Sequence, residues 1–118
     1  MKENIIVDKS YLFAQRIVKL YLFLKNEKKE FELARQILKS GTSIGANVEE
    51  SIGGYSRKDF SAKMGIAYKE ARETKYWLRL LHDTNIIDSE IFVSMEKDCE
   101  EILKIVGSIL KTLKKKSS

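Results

Sequence analysis

The chain contains no proline. Proline ends or kinks a helix because it lacks the amide proton and clashes with the turn before it. Its absence, with Ala, Leu, Ile, Lys and Glu plentiful, favours long uninterrupted helices. Apolar residues recur at helical spacing nearly throughout. This pattern predicts four helices, at about 8–26, 29–52, 57–84 and 89–115. The breaks between them, NEKKE, GGYS and TNIIDS, are short. Short breaks make consecutive helices antiparallel, so the expected fold is all-α, an antiparallel up-down-up-down four-helix bundle. A length of 118 residues fits one such domain with one modest core.

Three of the helix starts share one device. Asp8, Ser56 and Asp88 are candidate N-caps, whose side-chain oxygens can accept from free amides of the first turn. Each is preceded by an apolar or aromatic residue (Val7, Tyr55, Ile87) and followed four positions on by another (Leu12, Phe60, Phe92), the spacing of a hydrophobic staple. The second start, near Asn26–Glu30, is poorly marked. The lysine-rich tail KTLKKKSS is expected to fray.

Hydrophobic residues make up 43% of the chain and charged residues 33%, a globular and strongly solvated composition. No apolar run approaches the roughly 18 residues a membrane span needs, and MKENIIVDKS does not read as a signal peptide. The single cysteine, Cys99, leaves no internal disulfide and fits a reducing compartment. A cytoplasmic protein with no membrane partner is expected. The formal net charge of +5 hints at an anionic partner.

The third helix raises the main question, in KEARETKYWL. Around its axis Phe60, Met64, Ile66, Ala67, Ala71, Trp77, Leu78, Leu80 and Leu81 form one broad apolar arc, and Glu70 and Glu73 fall inside it. A buried carboxylate needs a partner. Arg16 falls within the apolar arc of the first helix, and the small donors Ser40, Ser43 and Asn47 edge that of the second. The expectation is a polar layer inside the bundle made of Arg16, Ser43, Asn47, Glu70 and Glu73. Gly41 and Gly45 point to a close helix approach, since glycine inside a helix costs about 1 kcal/mol against alanine. The fourth helix carries a clean apolar stripe. The apolar arcs of the first and third helices span about half the circumference, more than one small bundle must hide, so self-association is expected.

Catalytic readings are weak. A di-iron bundle uses four carboxylates with two Glu-x-x-His pairs, whereas here the pair is Glu70-x-x-Glu73 and the lone histidine, His82, stands well down the same helix. A hydrolase carboxylate pair would need a cleft. His82 reads as a dipole-complementing residue and Cys99 as core. No glycine-rich phosphate loop, nucleophile elbow or zinc spacing occurs. The chain reads as a non-enzyme with no cofactor and no metal.

The opposite side of the third helix carries Lys69, Arg72, Lys75 and Arg79 with Tyr68 and Tyr76 among them and no acidic residue. A solvated face could look the same. Yet cations interleaved with tyrosines are what phosphate contact and base stacking require, which favours RNA or DNA. Lys111, Lys114, Lys115 and Lys116 could add a second contact.

Three stretches, FAQRIVKLY, SGTSIGANVEES and KDFSAKMGIAYKEARETKYWLRLL, resemble the four-helix bundle family of 23S rRNA intervening-sequence proteins. Ser43, Ile44, Ala46, Asn47 and Glu50 fit its S-I-x-A-N-x-x-E pattern. Glu73, Tyr76, Trp77, Leu78, Leu80 and Leu81 fit its E-x-x-Y-W-L-x-L-L pattern. The resemblance runs over roughly residues 10–87, and the fourth helix matches only in pattern. It implies an all-α bundle assembling as a ring-like homopentamer. It also implies kinship with the accessory variability proteins of diversity-generating retroelements, basic pentamers that bind nucleic acid and a reverse transcriptase. Two functions follow as expectations: an oligomeric module binding RNA or DNA through the basic face, or a protein-interaction scaffold whose basic face is only solvated.

Overall fold

The structure, a computed structural model, describes residues 2–117, with side chains from Ile5 to Lys116. Its helices are α1 (Lys2–Asn26), α2 (Glu32–Ile52), α3 (Arg57–Asp83) and α4 (Ser89–Ser117). Each packs against its neighbours in sequence, and α4 closes back on α1. The result is the antiparallel up-down-up-down bundle, a rod of 47 × 21 × 20 Å.

What is buried is narrower than the apolar arcs suggested. On α1 the buried stripe is Ile6, Ser10, Phe13, Ile17, Leu20 and Leu24; on α2, Ala34, Ile37, Gly41, Ile44, Val48 and Ser51. On α3 it is Met64, Ala67, Ala71, Thr74, Leu78 and Leu81; on α4, Met95, Cys99, Ile102, Val106 and Ile109. Steps of three and four alternate in every case. That heptad spacing is the seam along which helices interlock with a shallow left-handed supercoil.

The caps are partly as expected. The Asp59 amide donates to the Ser56 hydroxyl (3.1 Å) and the Ile91 amide to the Asp88 carboxylate (2.9 Å). Asp8 is no cap. It lies inside α1, which starts at Lys2 because Ile6, one heptad before Phe13, extends the buried stripe. The staples at Val7–Leu12 and Tyr55–Phe60 fail too, since Leu12 is exposed and Tyr55 fully so. Ile87 and Phe92 both pack on the core. The second helix begins at Glu32, not 29, and its unmarked start has a carboxylate cap: the Leu33 amide donates to Glu30 at 2.9 Å. The third ends at Asp83, where Asn85, at φ 64°, allows the Ile86 amide to reach back to the Leu81 carbonyl. Asparagine tolerates that left-handed position better than most residues. Through the lysine-rich tail α4 is helical to Ser117, with Leu113 half-buried and the terminal lysines complementing the helix dipole.

Two glycines of α2 face α1 closely. A Cβ built on Gly41 would stand 2.6–2.8 Å from three carbons of the Ile17 side chain. Both branches of Ile17 are involved, so the buried side chain would have to repack as a whole. Gly65 on α3 has open space around it. Gly41 and Gly65 should therefore respond oppositely to alanine. Gly41→Ala should lower stability, because overpacking of about 1–3 kcal/mol outweighs the helix-propensity gain. Gly65→Ala should raise it by up to about 1 kcal/mol. Urea unfolding followed by circular dichroism measures both; equal shifts for the two variants would contradict the packing described.

Candidate nucleic-acid interface

An open groove of about 510 Å³ runs between α3 and α4. Tyr68, Arg72, Lys75, Tyr76 and Arg79 line it from α3, and Glu100, Leu103 and Lys104 from α4. Five of the six α3 residues expected at a binding face thus share one concavity. Positions 72 and 79, a heptad apart, form one row flanking Tyr76, which is 54% exposed and packs edge-on against Trp77. Tyr68 is half-buried, its ring 3.5 Å from where a Cβ on Gly107 would stand. Lys69 is exposed on α3 but does not line the groove.

The α4 wall holds two residues the sequence reading passed over. Lys104 stands midway between Lys97 and Lys111, all seven apart and all exposed, so they form one outward row. That seven-residue recurrence was the available signal. Lys111 continues the row towards the helix end, and Lys114 follows Gly107 on the groove side. Lys115 points about 100° further round.

Glu100 is the second addition and corrects the expectation of an acid-free face. The α3 residues bring no carboxylate, but α4 does. Lys75 forms an ion pair with Glu100, and that contact, outweighing the effect of burial, raises the Lys75 pKa. Lys69, Arg72, Arg79 and Lys104 make no ion pair among the described residues.

The inward polar layer does not form. Arg16 turns to α4, where its guanidinium donates to Asp98 and to the Ser94 hydroxyl (2.8 Å). With the Lys9–Glu101 ion pair it bridges the α1–α4 side. Asn47 donates to the Ser43 carbonyl (2.8 Å), and the Ser43 hydroxyl to that of Lys39 (2.7 Å), all within α2. Glu73 is exposed and accepts the Trp77 indole N–H (3.1 Å). Glu70 is half-buried. The reason is the narrow heptad seam: positions 70 and 73 stand just outside it, on the flank facing α2. Burial and the neighbouring Glu73 raise the Glu70 pKa, against the pull of Lys39 and Lys69.

The polar contact inside the core is a different one. The Thr74 hydroxyl, fully buried, is hydrogen-bonded to the buried Ser40 hydroxyl (2.9 Å) and to the Glu70 carbonyl (2.8 Å). Neither residue was expected to pair with the other, because a threonine on an apolar stripe gives no hint of its partner. The Cys99 thiol donates to the Ala71 carbonyl (3.2 Å), and burial pushes its pKa up to about 12, so it behaves as core. His82 stacks on Phe92 with centroids 4.4 Å apart and contacts Ser89 (3.1 Å), closing the α3–α4 turn. Among the described residues no helix is long and apolar enough to cross a membrane.

Comparison with known proteins adds family context. The family model described as "23S rRNA-intervening sequence protein" matches residues 2–108. A crystal structure of a protein of unknown function from the S23 ribosomal protein family of Bacteroides thetaiotaomicron superposes with a TM-score of 0.93. It is 54% identical, over 94% of this chain and 99% of that one. No curated protein matches.

Three substitutions test the α2–α3 side. A raised folded-state carboxyl pKa means the folded state holds the Glu70 proton more tightly than the unfolded chain. The penalty from this group is therefore absent in acid and develops as pH rises above the ordinary carboxylate range. Glu70→Gln should stabilise the protein near neutral pH by roughly 0.2–0.5 kcal/mol, the scale of a like-charge pair on one helix face, with the gain vanishing towards about pH 4. Thr74→Val should cost about 1–3 kcal/mol by stranding the Ser40 hydroxyl. Adding Ser40→Ala should recover most of that loss. Denaturant midpoints across pH check both; a Thr74→Val loss that Ser40→Ala deepens would refute the pairing.

Proposed function

The chain belongs to the 23S rRNA-intervening sequence protein family, and on that premise we propose that it is a non-enzymatic, cytoplasmic, oligomeric module that binds RNA or DNA along the α3–α4 groove. The observation that carries this reading is the placement of Arg72, Arg79 and Lys104, without ion-pair partners, around the half-exposed Tyr76. Arginines and lysines supply phosphate contact, and the tyrosine supplies a platform for a base that has left its stack. The row Lys104–Lys111 and Lys114 extends the positive wall, with Lys115 beside it. The likeness to a protein placed in a ribosomal protein family points the same way.

Self-association is part of the proposal. The outer face of α1 leaves Ile5, Tyr11, Leu12, Val18 and Leu22 exposed, opposite its buried stripe. A helix apolar on both faces is suited to burial on both, which supports a homo-oligomer, and the family resemblance supports a pentamer. Repetition of the groove would multiply a weak contact by avidity.

A second reading, a protein-interaction scaffold, has its own support. Glu100 neutralises Lys75 within the groove, and the apolar α1 face could receive a different protein.

Phosphate-driven binding should weaken steeply with salt and depend on single-stranded character more than on sequence at most positions. Reversal of both arginines, Arg72→Glu with Arg79→Glu, should reduce the log–log salt slope by about two and remove binding near physiological salt. Helicity and assembly should be retained, since both side chains are exposed. Fluorescence anisotropy with a labelled single strand, beside circular dichroism and sedimentation, measures this. Undiminished binding by the doubly reversed protein would move the site to the Lys111–Lys116 end. Absence of binding by the parent protein at low salt would favour the scaffold.

A further inference from the structure

The chain has 6 glycines, and one of them has no internal reason to be where it is. Gly41 and Gly45 make room for α1, and the Tyr68 ring lies against the space that Gly107 leaves. Gly53 and Gly54 belong to the α2–α3 connection. Gly65 sits inside α3, where neither a turn nor a positive φ requires it. A Cβ placed on it would meet nothing within 4 Å. Glycine weakens a helix interior against alanine, so a bare backbone at this position calls for a use outside the bundle.

Its surroundings supply one. By the helical advance of about 100° per residue, Gly65 falls on the same side of α3 as the groove residues Tyr68, Arg72 and Tyr76. The Tyr68 ring against Gly107 and the Lys75–Glu100 ion pair fix the antiparallel register of α3 on α4. By that register Arg72 is level with Lys104, and Gly65 with Lys111, to within about one residue. Lys104, Lys111 and Lys114 are exposed, follow one side of α4 and make no ion pair among the described residues. The carboxylates of Glu96 and Glu100 act on Lys75, towards the other end of the groove. Beyond Glu101 α4 carries no acidic side chain. The glycine therefore stands at the most uniformly positive part of the α3–α4 side.

We propose that Gly65 is left without a side chain so that the sugar–phosphate backbone of a single strand lies directly on α3, between Arg72 and the Lys104–Lys111 row. The strand then follows the bundle axis, and the α3–α4 groove and the lysines at the end of α4 form one track. A strand seated on the bare helix surface brings its phosphates within reach of cations on both helices. A side chain at position 65 would hold the strand away from Lys111. From Arg79 to Gly65 the track is about 21 Å long. That is on the order of six phosphate steps of a stacked strand. The inference rests on the groove binding nucleic acid, and adds where the strand runs beyond it and what keeps that course open.

The test is Gly65→Gln, which favours the helix and adds no charge. Anisotropy at low salt with the intact protein and a labelled oligouridine of about twelve nucleotides reads binding. Urea unfolding reads stability, and sedimentation reads assembly. Gly65→Gln should be at least as stable as the parent and assemble as it does, yet bind roughly three- to tenfold more weakly. Its log–log salt slope should be smaller by about one, the loss of one phosphate contact. Lys111→Gln should weaken the parent by a similar factor and add little to the loss in Gly65→Gln, since both remove the same contact. Equal binding by Gly65→Gln and the parent would overturn the inference and leave the groove reading standing. So would losses from the two substitutions that simply add. Weaker binding with altered sedimentation would overturn it in favour of a subunit contact at Gly65. A parent that binds no oligouridine at low salt would overturn the groove reading itself, and this inference with it.

Discussion

The seam between α1 and α2, where Ile17 fills the space left by Gly41, sets the geometry of the bundle. A glycine inside a helix gives up about 1 kcal/mol of intrinsic helix stability. It is repaid by contact, since α1 and α2 approach closely enough for both branches of a buried isoleucine to lie against α2. Gly45, a turn further on, faces the Ser10 backbone, its would-be Cβ 3.3 Å from that carbonyl oxygen. Each helix buries a narrow heptad stripe, widened on α2 by Ser40 and Gly45. The neighbouring positions on either flank remain at the surface, available for other work.

On α3 those flanks differ in charge. Towards α2 stand Glu70 and Glu73, towards α4 Tyr68, Arg72, Lys75 and Arg79, and between them the buried stripe runs without a charged residue. The acidic flank is governed by stability: Glu70 is half-buried beside Lys39 and Glu73. The basic flank is only partly satisfied. Lys75 has a partner in Glu100, while Arg72 and Arg79 have none among the described residues. Exposed cations left unpaired on a concave wall keep their field for a ligand, whereas ion-paired ones spend it internally.

The fold was legible because it rests on local rules. Absence of proline, helical spacing, short breaks and the caps at Ser56 and Asp88 all point to the same bundle, and consistency among levels is what specifies a structure. Three failures share a cause. Asp8 as a cap, the Val7–Leu12 staple and the polar layer all depend on how each helix is turned towards its neighbours. Ile6 extends α1 past Asp8 only because the core continues there, and Arg16 turns to Asp98 only because α4 lies beside α1. The cations and tyrosines of α3 could be named from the sequence, since one helix carries them. Glu100 and Lys104 could not be placed opposite them, because which residues of α4 meet α3 depends on rotation of both helices about their seams.

That same dependence bears on how the groove would work. Lys75 and Glu100 belong to different helices, so their pairing forms only once α3 and α4 are docked, and the ion pair is a feature of the assembled bundle. Both side chains are partly exposed, where an ion pair contributes little stability. Its consequence is therefore electrostatic. Lys75 meets part of its field in Glu100, so the positive side of the groove rests on Arg72, Arg79 and Lys104, which have no ion-pair partner among the described residues.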